Sequence, residues 1–576
     1  MPSEHDVAFP RLSRTQIDAL RRWGHVRPIA PGDVLFQEGD RGFSFYVVLE
    51  GAVEIIEQSR GTPREVTVHE PGEFTGDVDT LSGRAALVTG RATARGEVLE
   101  LTAAALRQAV DALPEIGEIV LKAFLTRRTL LLSDGFEGIK IIGSRFSPDA
   151  HRLRDFATRN AIPFTWIDLE SDDQAETLLR QFGVPPSATP VVIGREGRYL
   201  ANPTVAQLAH CAGLEATIDP SELLDLIVVG GGPAGLAAAV YAASEGLDVL
   251  VIERIATGGQ AGTSSRIENY LGFPMGVSGP ELMRNALLQA QKFGARITVP
   301  GTVQRLGIDA GVRVITLADG TKIRGKSILV ATGVEYRRLD VPRLSEFEGA
   351  GVYYAATDTE TKLCRNEEIV VVGAGNSAGQ AIVALSRYAR RVHVIARTRD
   401  LGKSMSRYLV DRVEHIDNVQ IHRGAVVTGL EGDDHLQAVR IRDDAGVETR
   451  INTPALFLFI GADPHTEWLS GCVQLDKKGF VLTGGAVPLD VVRNDLWRAQ
   501  GRTPFFLETS LPGVFAAGDV RSGSVKRCAS AVGEGAMAVS FIHASLEAAS
   551  TTKDVSTSAE PGAPVSSSRL EGDRRT

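Results

Sequence analysis

Cysteine is nearly absent, with four in 576 residues, at positions 211, 364, 472 and 528. They stand far apart and form no CxxC pair, which excludes a disulfide scaffold and a paired-thiol metal or redox site. Histidine is sparse too, 11 residues with no HExxH or similar pair, so no metal site is expected. No apolar run approaches the roughly 18 residues of a membrane span. The N-terminus, MPSEHDVAFPRLSR, lacks the basic-then-apolar pattern of a secretory signal. A cytoplasmic protein with no membrane partner is the expectation. Positive charge is not in excess either: 62 Lys+Arg stand against 71 Asp+Glu, a net −9 that offers no footprint for nucleic acid. The remainder is an ordinary globular composition, and at about 150 residues per domain the length suggests roughly four folded units.

The richest stretch begins at Asp225. A short apolar strand, LIVVG, runs into Gly230-Gly231-Gly232-Pro233-Ala234-Gly235, an Ala-rich helix follows, and a second strand, DVLVIE, ends at Glu253. This is the dinucleotide-binding βαβ pattern in its required context. Gly230 makes the tight turn, Gly232 lets the backbone approach a diphosphate, and Gly235 permits close helix–strand packing. The helix N-terminus favours the phosphate charge, and Glu253 is placed to accept hydrogen bonds from a ribose. The pattern recurs: IVVVG leads into Gly373-Ala374-Gly375-Asn376-Ser377-Ala378, a helix runs to about Tyr388, and the strand RVHVIA stops at Ala396. No acid ends this second strand. Arg397 and Arg399 follow instead, with Lys403 and Arg407 beyond, and guanidinium groups suit a 2′-phosphate, which favours NADPH over NADH. The alternative is a solvated basic loop.

Two dinucleotide folds imply hydride exchange between nicotinamide and flavin. A third signature agrees: the apolar run Val514-Phe515-Ala516-Ala517 ends in Gly518-Asp519 ahead of a helix starting near Ala529. With Gly258-Gly259-Gln260, Glu268-Asn269-Tyr270 and Ala331-Thr332-Gly333, these motifs make residues 222–548 resemble the low-molecular-weight thioredoxin reductases. The resemblance implies a discontinuous FAD domain, 222–340 and 456–548, with an NAD(P)H domain inserted at 341–455. It also implies FAD contacts from Gly259, Gln260, Asn269, Gly518, Asp519 and Ala529, NADPH contacts from Gly373, Gly375, Ala378, Arg397 and Arg399, and a homodimer. One departure alters the mechanism. Where that family carries its redox Cys-x-x-Cys, this chain reads Ala355-Ala356-Thr357-Asp358, so Ala355 and Asp358 replace both thiols. No catalytic residue is assigned. Cys528, beside Lys526 and Arg527 at a helix start, is a weak candidate, because positive neighbours lower a thiol pKa.

Residues 28–101 read as short strands with glycine at the corners and resemble the cyclic nucleotide-binding domain, taken as 1–135. That resemblance gives Gly72-Glu73 the ribose and Arg84-Ala85 the cyclic phosphate. Residues 137–215 resemble a thioredoxin or glutaredoxin domain. Ser147-Pro148-Asp149-Ala150 stands at the CxxC place and Thr189-Pro190 at the cis-proline place. The tail, 550–576, is rich in Ser, Thr, Pro and charge and is expected to be disordered. The expected architecture is therefore a β-roll, a thiol-less thioredoxin-like α/β domain and two Rossmann-like α/β domains. The function it implies is an FAD-dependent NADPH oxidoreductase with an external small-molecule or protein acceptor and cyclic AMP or cyclic GMP as effector. Two alternatives stay open: a thioredoxin-disulfide reductase using a partner's thiols, and a redox or cyclic-nucleotide sensor with little turnover.

Overall fold

Glycine corners and alternating side chains shape the first unit of the computed structural model. The structure describes residues 4–557 apart from 58–63, 134–138, 173, 182, 186–187, 195–198, 217, 265–266, 268, 310, 349, 355 and 357–363. Helices α1 (Glu4–Ala8) and α2 (Arg14–Leu20) precede strands β1 (His25–Ile29), β2 (Val34–Phe36), β3 (Phe45–Glu50), β4 (Val53–Glu57) and β5 (Arg64–His69). Then come α3 (Val78–Ser82), β6 (Thr89–Ala92), β7 (Gly96–Leu101), α4 (Ala103–Ala112) and α5 (Pro114–Ser133). The strands form two antiparallel sheets, ordered β1-β7-β3 and β2-β6-β4-β5. In β3 the period of two sends Phe45 and Val47 toward α2, α4 and α5, and Tyr46 and Val48 into the second core with Phe36 and Ile55. Gly96 is required at its corner, since a Cβ there would lie 2.0 Å from the Glu50 carbonyl oxygen.

The next unit comprises β8 (Ile139–Gly143), α6 (Pro148–Arg159), β9 (Phe164–Asp168), α7 (Gln174–Gln181), β10 (Val191–Ile193), β11 (Tyr199–Ala201) and α8 (Val205–Cys211). Its sheet order is β11-β10-β8-β9, with β8 and β9 parallel and the other pairs antiparallel. Ser147 caps α6 by accepting from the Ala150 amide, and the Thr189–Pro190 bond ahead of β10 is cis.

A larger sheet follows, built from β12 (Leu223–Val229), β13 (Val249–Ile252), β14 (Arg296–Thr298), β15 (Val303–Asp309), β16 (Val312–Leu317) and β17 (Lys322–Val330), in the order β14-β13-β12-β17-β16-β15. Leu226 to Val229 are buried on both faces, as a central parallel strand requires. Helices α9 (Pro233–Ser244) and α10 (Gly279–Lys292) pack on this sheet. The short pair β18 (Val334–Tyr336) and β27 (Ala462–Pro464) joins it to the second nucleotide fold. That fold holds α11 (Leu344–Phe347), β19 (Val352–Tyr353), β20 (Glu368–Val372), α12 (Asn376–Leu385), β21 (Arg391–Ala396), α13 (Arg407–Glu414), β22 (Val419–Arg423) and β26 (Leu456–Leu458), in the parallel order β19-β26-β20-β21-β22. An antiparallel sheet, β23 (Ala425–Gly432), β24 (Leu436–Asp443) and β25 (Glu448–Asn452), covers its other face.

The chain then returns through α14 (Leu489–Val492) and α15 (Asp495–Gln500) to β28 (Val514–Ala516), which pairs with β17 in the larger sheet, and ends in α16 (Cys528–Thr557). Helix α16 lies so close to α9 that a Cβ at Gly535 would sit 2.1 Å from the Ala234 carbonyl. The expected disorder from 550 onward is corrected in part. The run from Ala548 to Thr557 contains no Pro or Gly, so nothing stops the helix before Thr557, and 558–576 lie outside the described residues.

Candidate functional site

Both glycine loops open into one cleft of about 630 Å³. In the first loop Gly230 has φ +110°, and a Cβ there would lie 2.3 Å from the Ala331 carbonyl oxygen. A Cβ at Gly235 would come within 1.9 Å of the Gly230 carbonyl, so α9 rests directly on its strand. Gly232 caps α9 without a side chain, and the nearest atom to a Cβ there is 3.9 Å away, leaving the first-turn amides approachable. The carboxylate of Glu253 faces this loop and accepts from the amides of Gly231 (2.7 Å), Ile255 (2.8 Å) and Ala256 (3.2 Å). Gly259, Gln260 and Asn269 line the same cleft, and Gln260 Nε2 donates to the Val334 carbonyl at 2.8 Å. Gly518 and Asp519 line it as well. The Gly518 amide donates to Glu534 at 2.8 Å, and burial pushes the Asp519 carboxyl above the usual carboxylate range.

From the other side comes the second loop. Gly373 has φ +141°, where a Cβ would meet the Phe459 carbonyl oxygen at 2.3 Å. No atom lies within 4 Å of a Cβ at Gly375, the N-cap of α12, so that helix end is open. Ala378 is buried one turn further on, and Asn376, Ser377 and Gln380 line the cleft. Arg397 and Arg399 follow the end of β21, exposed and outside the cleft wall, and Arg399 Nε donates to Asp444 at 3.0 Å.

A second cavity, about 270 Å³, lies inside the N-terminal unit, lined by Phe36, Phe43, His69, Asp77, Ala86 and Arg127 among others. Gly72, Glu73, Arg84 and Ala85 are not in its wall. Glu73 faces Arg11, whose Nε donates to it at 3.0 Å, and accepts the Glu70 amide at 3.2 Å. Ala85 bridges Arg41 and would touch a Cβ at Gly213. Arg84 is held near Asp79, Asp77 and Arg128. Two acids stand in the wall, Glu57 and Asp77; Asp77 follows Gly76, and its carboxylate caps α3 by accepting from the Asp79 amide at 2.9 Å. Two Gly-acid pairs stand four residues apart in the sequence, and only the fold distinguishes them.

Residues 224–535, more than half of the chain, match the model of the pyridine nucleotide-disulphide oxidoreductases. The chain belongs to that family. Residues 26–112 match the cyclic nucleotide-binding domain. A thioredoxin reductase of Mycolicibacterium smegmatis is 35% identical over 54% of this chain and 94% of its own length, and one from Streptomyces clavuligerus is 32% identical over 55% and 92%. The crystal structure of Lactococcus lactis thioredoxin reductase in its FR conformation aligns with 56% of this chain and 98% of that one, at 28% identity and TM-score 0.49.

The chain is thus a thioredoxin reductase-like, FAD-containing, NAD(P)H-dependent oxidoreductase with a cyclic nucleotide-binding domain. Its glycine cradles suit those groups: both helix N-termini are free of side chains, and a half-buried carboxylate, Asp519, faces the larger space. Ala355 and Asp358, at the dithiol place, lie outside the described residues. Cys528 does reach the cleft, but burial and the charge of Asp519 push its thiol up to about 11, opposite to the expected activation by Lys526 and Arg527. Ala529 is exposed and outside the cleft wall, while Cys528 and Ala531 line it. Two groups escaped the sequence. Glu534 holds the Gly518 amide while paired with Arg521 Nε at 3.1 Å, and its position inside a continuous helix carries no motif. His151, Asp155 and Arg159 of α6 form part of the cleft wall, more than 70 residues from the first glycine loop. No helix among the described residues is long and apolar enough to cross a membrane.

Proposed function

We propose that this protein carries electrons from NADPH through FAD to an acceptor outside the chain, with a cyclic nucleotide in the N-terminal cavity as effector. The shared cleft supports this reading best, because it joins two dinucleotide cradles in one space while the sequence offers no thiol pair to take the electrons further. The amides opening α9 would hold the FAD diphosphate, Glu253 its ribose, and Gln260, Asn269 and Asp519 the flavin side. The α12 N-terminus would hold the NADPH diphosphate, with Arg397 and Arg399 at the 2′-phosphate. FAD, when bound, supplies the two-electron chemistry. The residues contribute positioning and exclusion of water rather than proton transfer. At the effector site, Gly72-Glu73 would hold the ribose and Arg84-Ala85 the cyclic phosphate, with Asp77 and Arg127 in the cavity wall. The working form is taken to be a cytoplasmic homodimer.

The test is anaerobic mixing of the FAD-loaded protein with NADPH, followed by candidate acceptors. Bleaching near 450 nm followed by reoxidation with a quinone or oxygen is expected. Absence of bleaching overturns the oxidoreductase reading. Catalytic reoxidation by thioredoxin plus a disulfide dye overturns the reading of Ala355 and Asp358.

A further inference from the structure

Arg128 in α5 is buried, and its two arms point to different units. Nη1 donates to Asp79 at 2.9 Å and reaches Asp77 at 3.5 Å, while Nη2 donates to the Ala161 carbonyl at 3.2 Å. Ala161 has φ +51°, a left-handed conformation that residues with a side chain rarely adopt. Next to it, the buried Asn160 donates from Nδ2 to Phe156 (2.9 Å) and to Ile255 (3.0 Å). Ile255 belongs to the turn whose amides hold Glu253, the acid facing the first glycine loop. Hydrogen bonds, joined through the Asn160–Ala161 peptide, therefore lead from Asp77 in the wall of the N-terminal cavity to the turn beside the dinucleotide cleft.

Helix α10 makes a second, apolar connection between the same places. Its Leu288 is buried in the N-terminal core, Lys292 pairs with Asp111 at 3.2 Å, and α3 packs on it. Toward its start, Met283 lies 2.8 Å from where a Gly258 Cβ would be, and Gly279 fits under the Ala261 carbonyl.

We propose that Arg128 and Asn160 are positioning residues that couple the N-terminal cavity to the FAD cradle, with Ala161 as the two-state element between them. A ligand that draws Asp77 inward releases Arg128 from Ala161. The left-handed residue then relaxes, Asn160 leaves Ile255, and the Glu253 turn shifts. This rests on the proposed reading of the two sites. Because the coupling is a binding free energy, it is reciprocal: cyclic AMP must change FAD affinity by the factor by which FAD changes cyclic AMP affinity.

The test measures FAD binding to the full-length apoprotein with and without saturating cyclic AMP, and cyclic AMP binding with and without FAD. A factor of about five or more, equal in both directions, is expected for the natural chain. Arg128→Lys keeps the charge but cannot hold both partners, and Asn160→Ala leaves the Arg128–Asp79 pair intact. Both are expected to bring the factor toward one while each ligand alone binds within about two-fold of normal. An unchanged factor in Asn160→Ala, or no coupling in the natural chain, overturns the proposal. If neither cyclic AMP nor cyclic GMP binds, the effector reading fails, and hydrogen exchange decides the link: faster exchange at 253–262 in Arg128→Lys supports it, and unchanged exchange overturns it.

Discussion

Cys528 and Asp519 share one wall of the cleft, and the carboxylate works against the thiol. With its value pushed up to about 11, only about one thiol in a thousand ionises at pH 8. Alkylation of Cys528 by iodoacetamide at pH 8 is therefore expected to be about two orders of magnitude slower than that of exposed Cys211, read by peptide mass spectrometry. Cys528→Ala should leave NADPH-driven flavin bleaching within about two-fold of normal. In the N-terminal cavity two titrating groups oppose each other. Burial pushes His69 down to about 4, so its contribution to stability is complete above pH 6.5 and is lost as pH falls through 4. Burial and the neighbouring Asp79 push Asp77 up to about 6, so its contribution is complete below 3.8 and is lost as pH rises through 6. Between pH 4 and 6 the slopes nearly cancel. Asp77→Asn should leave the His69 slope alone, a loss of about 3 kcal/mol from pH 6.5 down to 4, and His69→Gln should leave the opposite slope. Hydrogen exchange of core amides in β3 and β7 across that range checks both.

Among the elements, the two glycine loops separate packing from binding. Gly235→Ala places a methyl 1.9 Å from the Gly230 carbonyl, so α9 must lift off its strand. A loss of about 1–3 kcal/mol in stability and a flavin-depleted protein are expected, read by thermal unfolding and the 450-to-280 nm ratio. Gly375→Ala meets nothing within 4 Å and keeps an ordinary φ of −93°. It should hold its melting temperature and flavin while raising KM for NADPH about ten-fold or more, since only the ligand approaches there. This contrast also shows why the nucleotide loops were legible in the sequence: their glycines answer to backbone geometry within a dozen residues. Within the N-terminal unit the sequence leaves two Gly-acid pairs alike. Glu73 and Asp77 are equivalent in spacing terms, and what separates them is the Arg11 that engages one and the helix that the other caps. Glu534 and the α6 residues were invisible because their roles depend on α16 and α6 reaching loops distant in the chain, which no local period records.

Across the whole molecule, both places where the sequence resemblances put a dithiol hold none, and the four cysteines are dispersed among separate packing environments. Cys211 is exposed on α8. Cys364 is buried in the core of the second nucleotide fold. Cys472 donates to the Leu306 carbonyl at 3.2 Å, and Cys528 faces the cleft. None is disulfide-bonded. On the proposed function, electrons entering the chain have one store, the flavin, and leave it directly for the acceptor. Two measurements on the FAD-loaded protein express this. Anaerobic dithionite titration should bleach the flavin fully at two electrons per FAD, where a reductase with an additional internal disulfide would take four. Thiol counting with a disulfide dye after denaturation should give four thiols per chain both before and after reduction by NADPH. A four-electron endpoint together with a gain of two thiols on reduction would show a cysteine pair that this fold holds apart, and the electron route would then run through protein thiols after all.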